Sequence, residues 1–260
     1  MNQKSARTLI PGYQAVREAL LGSTALVKEV WLSSGRRSQR VLEIEALAGE
    51  RGVPVFKKDP EELDGAFPGL SHQGVAAVAG SAPVFAPVED LVEISRAGDP
   101  PGLILAADHI TDEGNLGALI RTAAFFGADG MVLPRDRSAG IGPAVLKRSA
   151  GALLRLPIAR VVNLARALEE FKKRGFWVVG AAGEAQTSIF EFDWIRDTVL
   201  VIGREDKGLT KIVRGKCHAL VSIPGAGGVE SLNVAVAGGV ILSEVRRQWR
   251  TLKGSAAGRL

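Results

Sequence analysis

Apolar residues recur along this chain in two rhythms, and the rhythms divide it. Over residues 13–21, Tyr13, Val16 and Leu20 fall at helical spacing. Over residues 37–51, Val41, Ile44, Leu47 and Ala48 make one inward stripe on an otherwise charged segment that Gly52 stops. Residues 27–33 alternate as a half-buried strand does, residues 53–56 give a second strand, and the small-residue run 74–79 gives a third. Residues 1–10 show neither rhythm and read as a loose, basic arm. Residues 1–80 are therefore expected to form a small α/β unit with its own core. Pro83 and Pro87, set among small residues, mark a linker over 81–100. It holds a short helix at 88–97 and ends at the break Asp99-Pro100-Pro101-Gly102.

Beyond that break the pattern changes. Short apolar runs at 103–107, 131–133, 177–181, 199–202 and 220–223 alternate with helical patterns at 116–126, 143–153, 164–174 and 232–249. Short apolar strands separated by helices predict an α/β domain over 101–250, its mostly parallel sheet covered by helices on both faces. The basic tail at 251–260 is expected to fray. Ligands of such sheets sit outside the carboxyl ends of the strands. That rule selects three loops, 108–115, 203–208 and 224–231, each polar and glycine-bearing directly after an apolar run.

Composition refines this picture only slightly. A net charge of +5 admits an anionic partner without requiring one. Cys217 is the sole cysteine, so the chain forms no internal disulfide, as suits a reducing cytoplasm. His72, His109 and His218 lie far apart, without metal-ligand spacing. No run approaches the roughly 18 apolar residues of a membrane helix, and the first residues lack the apolar core of a signal peptide. The expectation is a cytoplasmic protein with no membrane span and no metal.

The three loops carry the candidate chemistry. The first runs Asp108-His109-Ile110-Thr111-Asp112-Glu113-Gly114 into Asn115, which is well suited to cap the helix that follows. Gly117 and Arg121, four apart, share a face distinct from the stripe of Leu116, Leu119, Ile120, Ala123 and Phe126. A helix N-terminus with an arginine beside it is a natural phosphate site, and an arginine on a solvated face is the competing reading. The second loop, Gly203-Arg204-Glu205-Asp206-Lys207-Gly208, is not a Walker motif, because its lysine precedes the final glycine with no Ser or Thr at the required place. The third follows Ile223-Pro224 as Gly225-Ala226-Gly227-Gly228, and Ser231 is the candidate N-cap of the helix after it. Asn233 then stands among Leu232, Val234, Val236, Val240 and Ile241, all expected to be buried. A buried amide needs partners, and either a ligand or nearby backbone would serve. No G-x-G-x-x-G opens a helix after the domain's first strand, which argues against a dehydrogenase-type nucleotide fold.

Taken together, the three loops resemble the SpoU (TrmH) family of RNA ribose 2′-O-methyltransferases, of the SPOUT class. The family's N-x-G-x-x-x-R is Asn115, Gly117 and Arg121; its glycine-glutamate loop is Gly203, Glu205 and Gly208. Its I-P, Gly/Ser-rich run and S-L-N-V are Ile223-Pro224 through Ser231-Leu232-Asn233-Val234. Order and spacing agree over about residues 100–250. The N-terminal part resembles the family's ribosomal-protein-like accessory domain, including the tripeptide His72-Gln73-Gly74. Asp136-Arg137-Ser138 and residues 161–168 resemble the branch that methylates a guanosine of 23S rRNA.

The resemblance implies a C-terminal trefoil knot, S-adenosylmethionine as methyl donor, an RNA substrate and a homodimer with shared active sites. It implies a donor site at Gly203, Gly208, Ile223, Pro224, Leu232 and Asn233, and catalytic roles for Arg121, Asn115, Glu205, Ser231 and Asn233. Arg36, Arg37, Arg40, Arg135, Arg137, Lys147 and Arg148 are candidate phosphate contacts, with plain solvation as the alternative. A tRNA ribose methyltransferase and a non-catalytic RNA-binding protein on the same fold are the competing functions.

Overall fold

The structure is a computed structural model, and its described residues are 8–21, 27–35, 38–80, 85–98, 101–228 and 231–257, with side chains through 251. Arg36 and Arg37 lie outside them. Two compact units result: Met1–Val84 with Gly140–Arg155, and Phe85–Ala139 with Leu156–Leu260.

In the first unit, four strands form a sheet ordered β1-β4-β2-β3. They are β1 (Leu9–Pro11), β2 (Val27–Ser33), β3 (Val55–Lys58) and β4 (Val75–Ala79). β4 pairs antiparallel with β1 and β2, and β2 pairs parallel with β3. Helices α1 (Tyr13–Leu21), α2 (Gln39–Glu50) and α3 (Pro60–Ala66) accompany the sheet. The α2 stripe is inward at Val41, Ile44 and Ala48, and Ser38 caps it by accepting from the Val41 amide. β1 corrects the reading of residues 9 and 10 as part of a loose arm: Ile10 is fully buried and pairs with Ala77. α3 is also an addition. Its sequence PEELDGA resembles a polar loop, but Pro60 at its start and Glu61 and Glu62 in the first turn are good helix-opening residues.

The segment 140–155, expected inside the larger domain, belongs to this unit. It forms α6 (Pro143–Arg148) and a 3-10 turn at Ala152–Leu154. Gly151 sits at φ +81°, where an added Cβ would be 3.0 Å from the Ala15 carbonyl. That close approach to α1 fixes the segment's place.

In the second unit, seven strands form a sheet ordered β7-β6-β5-β10-β8-β11-β9, and every pairing in it is parallel. The strands are β5 (Leu103–Ala107), β6 (Gly130–Pro134), β7 (Ile158–Val161), β8 (Trp177–Ala181), β9 (Thr187–Ser188), β10 (Thr198–Ile202) and β11 (Ala219–Ser222). All five residues of β5 and of β10 are buried, as a sheet covered on both faces requires. The helices are α4 (Val88–Ala97), α5 (Glu113–Phe125), α7 (Leu164–Lys173), α8 (Lys211–Arg214) and α9 (Val234–Ala257). α4, read as part of a linker, instead puts Val88, Leu91 and Val92 into the core with Ile104, Val132 and Phe171. α9 continues through the stretch expected to fray. No helix among the described residues is long and apolar enough to cross a membrane.

Candidate active site

β5 and β10 are hydrogen-bonded neighbours at the middle of the sheet, so the loops after them emerge side by side. The chain after β5 turns at Asp108, whose amide donates to the Ile202 carbonyl at the end of β10, 2.8 Å away. The Asp108 side chain is fully buried. Its Oδ2 accepts from the Thr210 amide at 2.6 Å, and its Oδ1 lies 2.6 Å from His109 Nδ1. One carboxylate therefore ties the first loop to the far end of the second. Sequence reasoning assigned Asp108 no role; a lone acid directly after an all-apolar strand was the available signal.

The second loop closes tightly on itself. Arg204 and Gly208 exchange both backbone hydrogen bonds, at 3.0 and 2.8 Å. A Cβ on Gly203 would collide with the Gly208 carbonyl carbon and the Leu209 nitrogen, and Gly208 sits at φ +60°. Both glycines are thus demanded by the turn itself. Glu205 is exposed at its tip.

α5 and α9 carry the other two polar groups. Gly238 lets these helices approach, since a Cβ there would meet Leu119 Cδ1 at 2.6 Å. Their N-termini converge in consequence. Asn115 Nδ2 donates to Glu205 Oε2 at 3.2 Å, and Asn233 Nδ2 donates to Asn115 Oδ1 at 2.8 Å. Residues from all three loops therefore join in one hydrogen-bonded chain.

Two capping expectations are corrected. Asp112, not Asn115, caps α5: its Oδ1 accepts from the Asn115 amide at 2.6 Å. The helix starts at Glu113, three residues before its apolar stripe begins at Leu116, and the Asn115 amide side chain is thereby left for Glu205. Asn233, not Ser231, opens α9, with its Oδ1 accepting from the Ala235 amide at 3.0 Å and its carbonyl from Ala237 at 2.9 Å. Asn233 is exposed rather than buried, as are Leu232 and Val236, while Val234 and Ile241 are buried.

The remaining predicted residues lie nearby in the fold without joining that chain. Arg121 is exposed on α5, and among the described residues its side chain has no hydrogen-bond or ion-pair partner. Gly117 is buried on the same helix. Ile223 is half-buried after β11, and Pro224 and Ser231 are exposed. Gly225, Gly227 and Gly228 face open space, where an added Cβ would touch nothing within 4 Å. Exposed glycine backbone flanked by the apolar Ile223 and Leu232 fits a flat, partly apolar ligand with hydrogen-bonding edges.

A parallel α/β sheet with polar loops from three strand ends joined on its carboxyl edge is the layout of a ligand-binding α/β domain. The profile of the SpoU rRNA Methylase family matches residues 102–243, and that for RNA 2′-O ribose methyltransferase substrate binding matches residues 9–84. The chain is 42% identical over 239 residues to the 23S rRNA (guanosine-2′-O-)-methyltransferase RlmB of Pseudomonas putida strain KT2440, covering 92% of this chain and 96% of that protein. It is 40% identical over 252 residues to the RlmB of Xylella fastidiosa strain Temecula1, covering 97% and 100%. Among solved structures, the SpoU methyltransferase AviRb from Streptomyces viridochromogenes in complex with AdoMet matches with a TM-score of 0.73 at 26% identity, covering 96% of this chain and 95% of that one. The chain belongs to the SpoU rRNA methylase family and is an S-adenosylmethionine-dependent RNA ribose 2′-O-methyltransferase.

Proposed function

We propose that the chain methylates the ribose 2′-oxygen of a guanosine in 23S rRNA, the target named for the Pseudomonas and Xylella relatives. The observation that carries the mechanism is the Asn233–Asn115–Glu205 chain on the carboxyl edge of β5 and β10. S-adenosylmethionine supplies an electrophilic methyl group on a sulfonium. The backbone of Gly203, Gly208, Ile223 and Pro224, with the side chain of Leu232, holds that donor. The protein's main task is then alignment, since in-line attack on a reactive methyl needs orientation above all. Asn115, Glu205 and Asn233 set the edge against which donor and ribose are held, and Ser231 adds a hydroxyl at the mouth of the third loop. Arg121 does not serve as a base, because a guanidinium does not give up its proton in a protein. It grips the phosphate beside the target ribose and stabilises negative charge developing on the 2′-oxygen as the hydroxyl proton leaves to solvent. The knotted chain path implied by the family belongs to the same reading.

The homodimer belongs to it as well. α5 and α9 expose Phe125 (82%) and Val236 (52%), and nearby Phe190 is 57% exposed. These residues line one groove with Asn233, so whatever covers the groove also abuts the site. A second copy of the chain is the occupant that completes an active site at that position.

The test is a map of ribose methylation in 23S rRNA from cells with and without the gene, followed by methyl transfer to an unmodified 23S transcript by purified protein. Loss of one guanosine methylation and its restoration in vitro is expected. A tRNA ribose as the only methyl acceptor would replace this reading with the tRNA one.

A further inference from the structure

The first unit contains a tight turn closed by the Val75 amide on the His72 carbonyl, in which Gln73 and Gly74 both take positive φ. Gln73 sits at φ +56°, a left-handed conformation that a side chain other than Asn, Asp or Gly rarely adopts. The turn is held on every side. His72 Nδ1 accepts from the Gly74 amide at 3.1 Å, and the Val75 amide donates to the His72 carbonyl at 3.0 Å. With Nδ1 acting as acceptor, the ring proton lies on Nε2, which meets Asp64 Oδ1 at 2.8 Å. The ring also stacks on Phe67, with centroids 6.2 Å apart. The Gly74 carbonyl accepts from Ser33 at the end of β2, and the Val75 carbonyl accepts from Gly12 just after β1. His72 is buried, whereas Gln73 is exposed. The turn thus fixes Gln73 with its side chain in solvent, open to use by a ligand.

The surroundings indicate what the use is. The one partner of the Gln73 side chain among the described residues is Arg40, whose Nη1 donates to Oε1 at 3.4 Å. Arg40 is exposed and sits 5.6 Å from the centroid of the Tyr13 ring. The nearby Glu43 is already occupied, accepting from Tyr13 at 2.6 Å and from Arg17 at 2.8 Å. No carboxylate among the described residues pairs with Arg40, so its charge is free for an anion. An amide with one donor and one acceptor edge, beside an uncompensated guanidinium and an aromatic ring, matches a base edge next to its phosphate. Residues 9–84, which contain this whole cluster, match the RNA substrate-binding family.

We propose that the His72-Gln73-Gly74 turn is a nucleotide-reading site for an unpaired RNA base. Gln73 hydrogen-bonds the base edge, Arg40 binds the adjoining phosphate, and His72 is the positioning residue that holds Gln73 out. This rests on RNA being the substrate, as proposed above.

Gln73→Gly is the decisive variant, because glycine accepts the backbone angle and removes only the side chain. In full-length protein, its melting temperature should equal or exceed that of the wild type. Its KM for the unmodified 23S transcript should rise roughly 5- to 150-fold, with kcat at saturating RNA unchanged. Arg40→Ala should lower the slope of log affinity against log salt by about one. An unchanged KM in Gln73→Gly overturns the proposal. Direct binding of wild type and Gln73→Gly to 23S, 16S and tRNA transcripts separates it from the proposed activity. A wild type that does not methylate the 23S transcript removes the proposed target. Equal binding of wild type and Gln73→Gly to all three RNAs removes the reading site.

Discussion

Asn233 donates through Nδ2 to Oδ1 of Asn115 across 118 residues of sequence, at 2.8 Å. The bond settles the orientation of both amides. Asn233 keeps its own Oδ1 for the Ala235 amide, and Asn115 must then offer its Nδ2 to Glu205. The direction of the whole chain follows from one helix cap.

That direction makes a charge-sensitive prediction. Asn115→Ala should lower kcat about 100-fold, the scale on which small misplacements of reacting groups act. Asn115→Asp should be at least as damaging despite its matching shape. It replaces the donor facing Glu205 with a second carboxylate, and like charges in contact repel. Steady-state methyl transfer on the 23S transcript measures both; an Asp variant as active as wild type would remove the hydrogen-bonded chain from the mechanism.

Arg121 gives a prediction of a different form, since nothing among the described residues holds it. Arg121→Ala should lose most turnover while binding S-adenosylhomocysteine with wild-type affinity by calorimetry. Arg121→Lys should recover little, because a point charge does not reproduce a planar bidentate grip. Its thermal stability should stay within about 0.5 kcal/mol of wild type, as for exposed positions generally. Loss of donor binding in the alanine variant would place Arg121 in the donor site instead.

The glycines of the loops divide by what surrounds them. Gly203→Ala forces a Cβ into the Gly208 backbone and should abolish donor binding, with an unfolding cost of at least about 1–3 kcal/mol. Gly228→Ala meets nothing within 4 Å and should leave the melting temperature unchanged. Equal tolerance at both positions in a thermal-shift series would contradict the closed second loop.

Much of this arrangement was readable in the sequence, and the failures have physical causes. β5 and β10 announced themselves because strands buried on both faces are apolar throughout. The three loops followed from the strand ends. The caps did not. Asp112, Asn115, Ser231 and Asn233 all suit a cap, and the choice depends on which carbonyl starts the helix, a tertiary matter once α5 and α9 are packed through Gly238. β7 escaped notice because IARV carries Arg160 at a sheet edge, where its guanidinium reaches the Arg135 carbonyl at 2.9 Å. β9 is two residues long and has no periodicity to detect. The membership of residues 140–155 depends on contacts with β1 and α1, which local pattern cannot show. Arg121 stood out by motif, yet no partner among the described residues fixes its side chain.

Cys217 supplies a pH dependence. Burial pushes its thiol up to about 11, with the Asp108 carboxylate adding to the effect. The folded state therefore holds the thiol proton more tightly than the unfolded chain, whose thiol titrates near 8.5. The stabilisation is complete below about pH 8.5 and is lost as pH rises toward 11. Cys217→Ala should narrow its melting-temperature deficit relative to wild type across that window. Alkylation of the folded protein near pH 8 should be slow, since only about one thiol in a thousand is ionised there. Rapid labelling without unfolding would show the thiol to be open to solvent.

The exposed groove between α5 and α9 gives the last prediction. Phe125 and Val236 lie on helices whose N-termini build the site, so a charge placed there tests assembly and catalysis together. Phe125→Glu and Val236→Glu put a carboxylate on a surface that a second copy would bury, at a cost of several kcal/mol per buried unpaired charge. In solution scattering or analytical ultracentrifugation, wild type should sediment as a dimer and both variants as monomers. The folded monomer should retain its circular dichroism, because both side chains are already exposed in the single chain. Turnover should fall with dimer content as concentration is lowered, and wild type should show the same dependence only at far greater dilution. Fully active monomers would make each active site complete within one chain, and the groove would then lie outside the catalytic assembly.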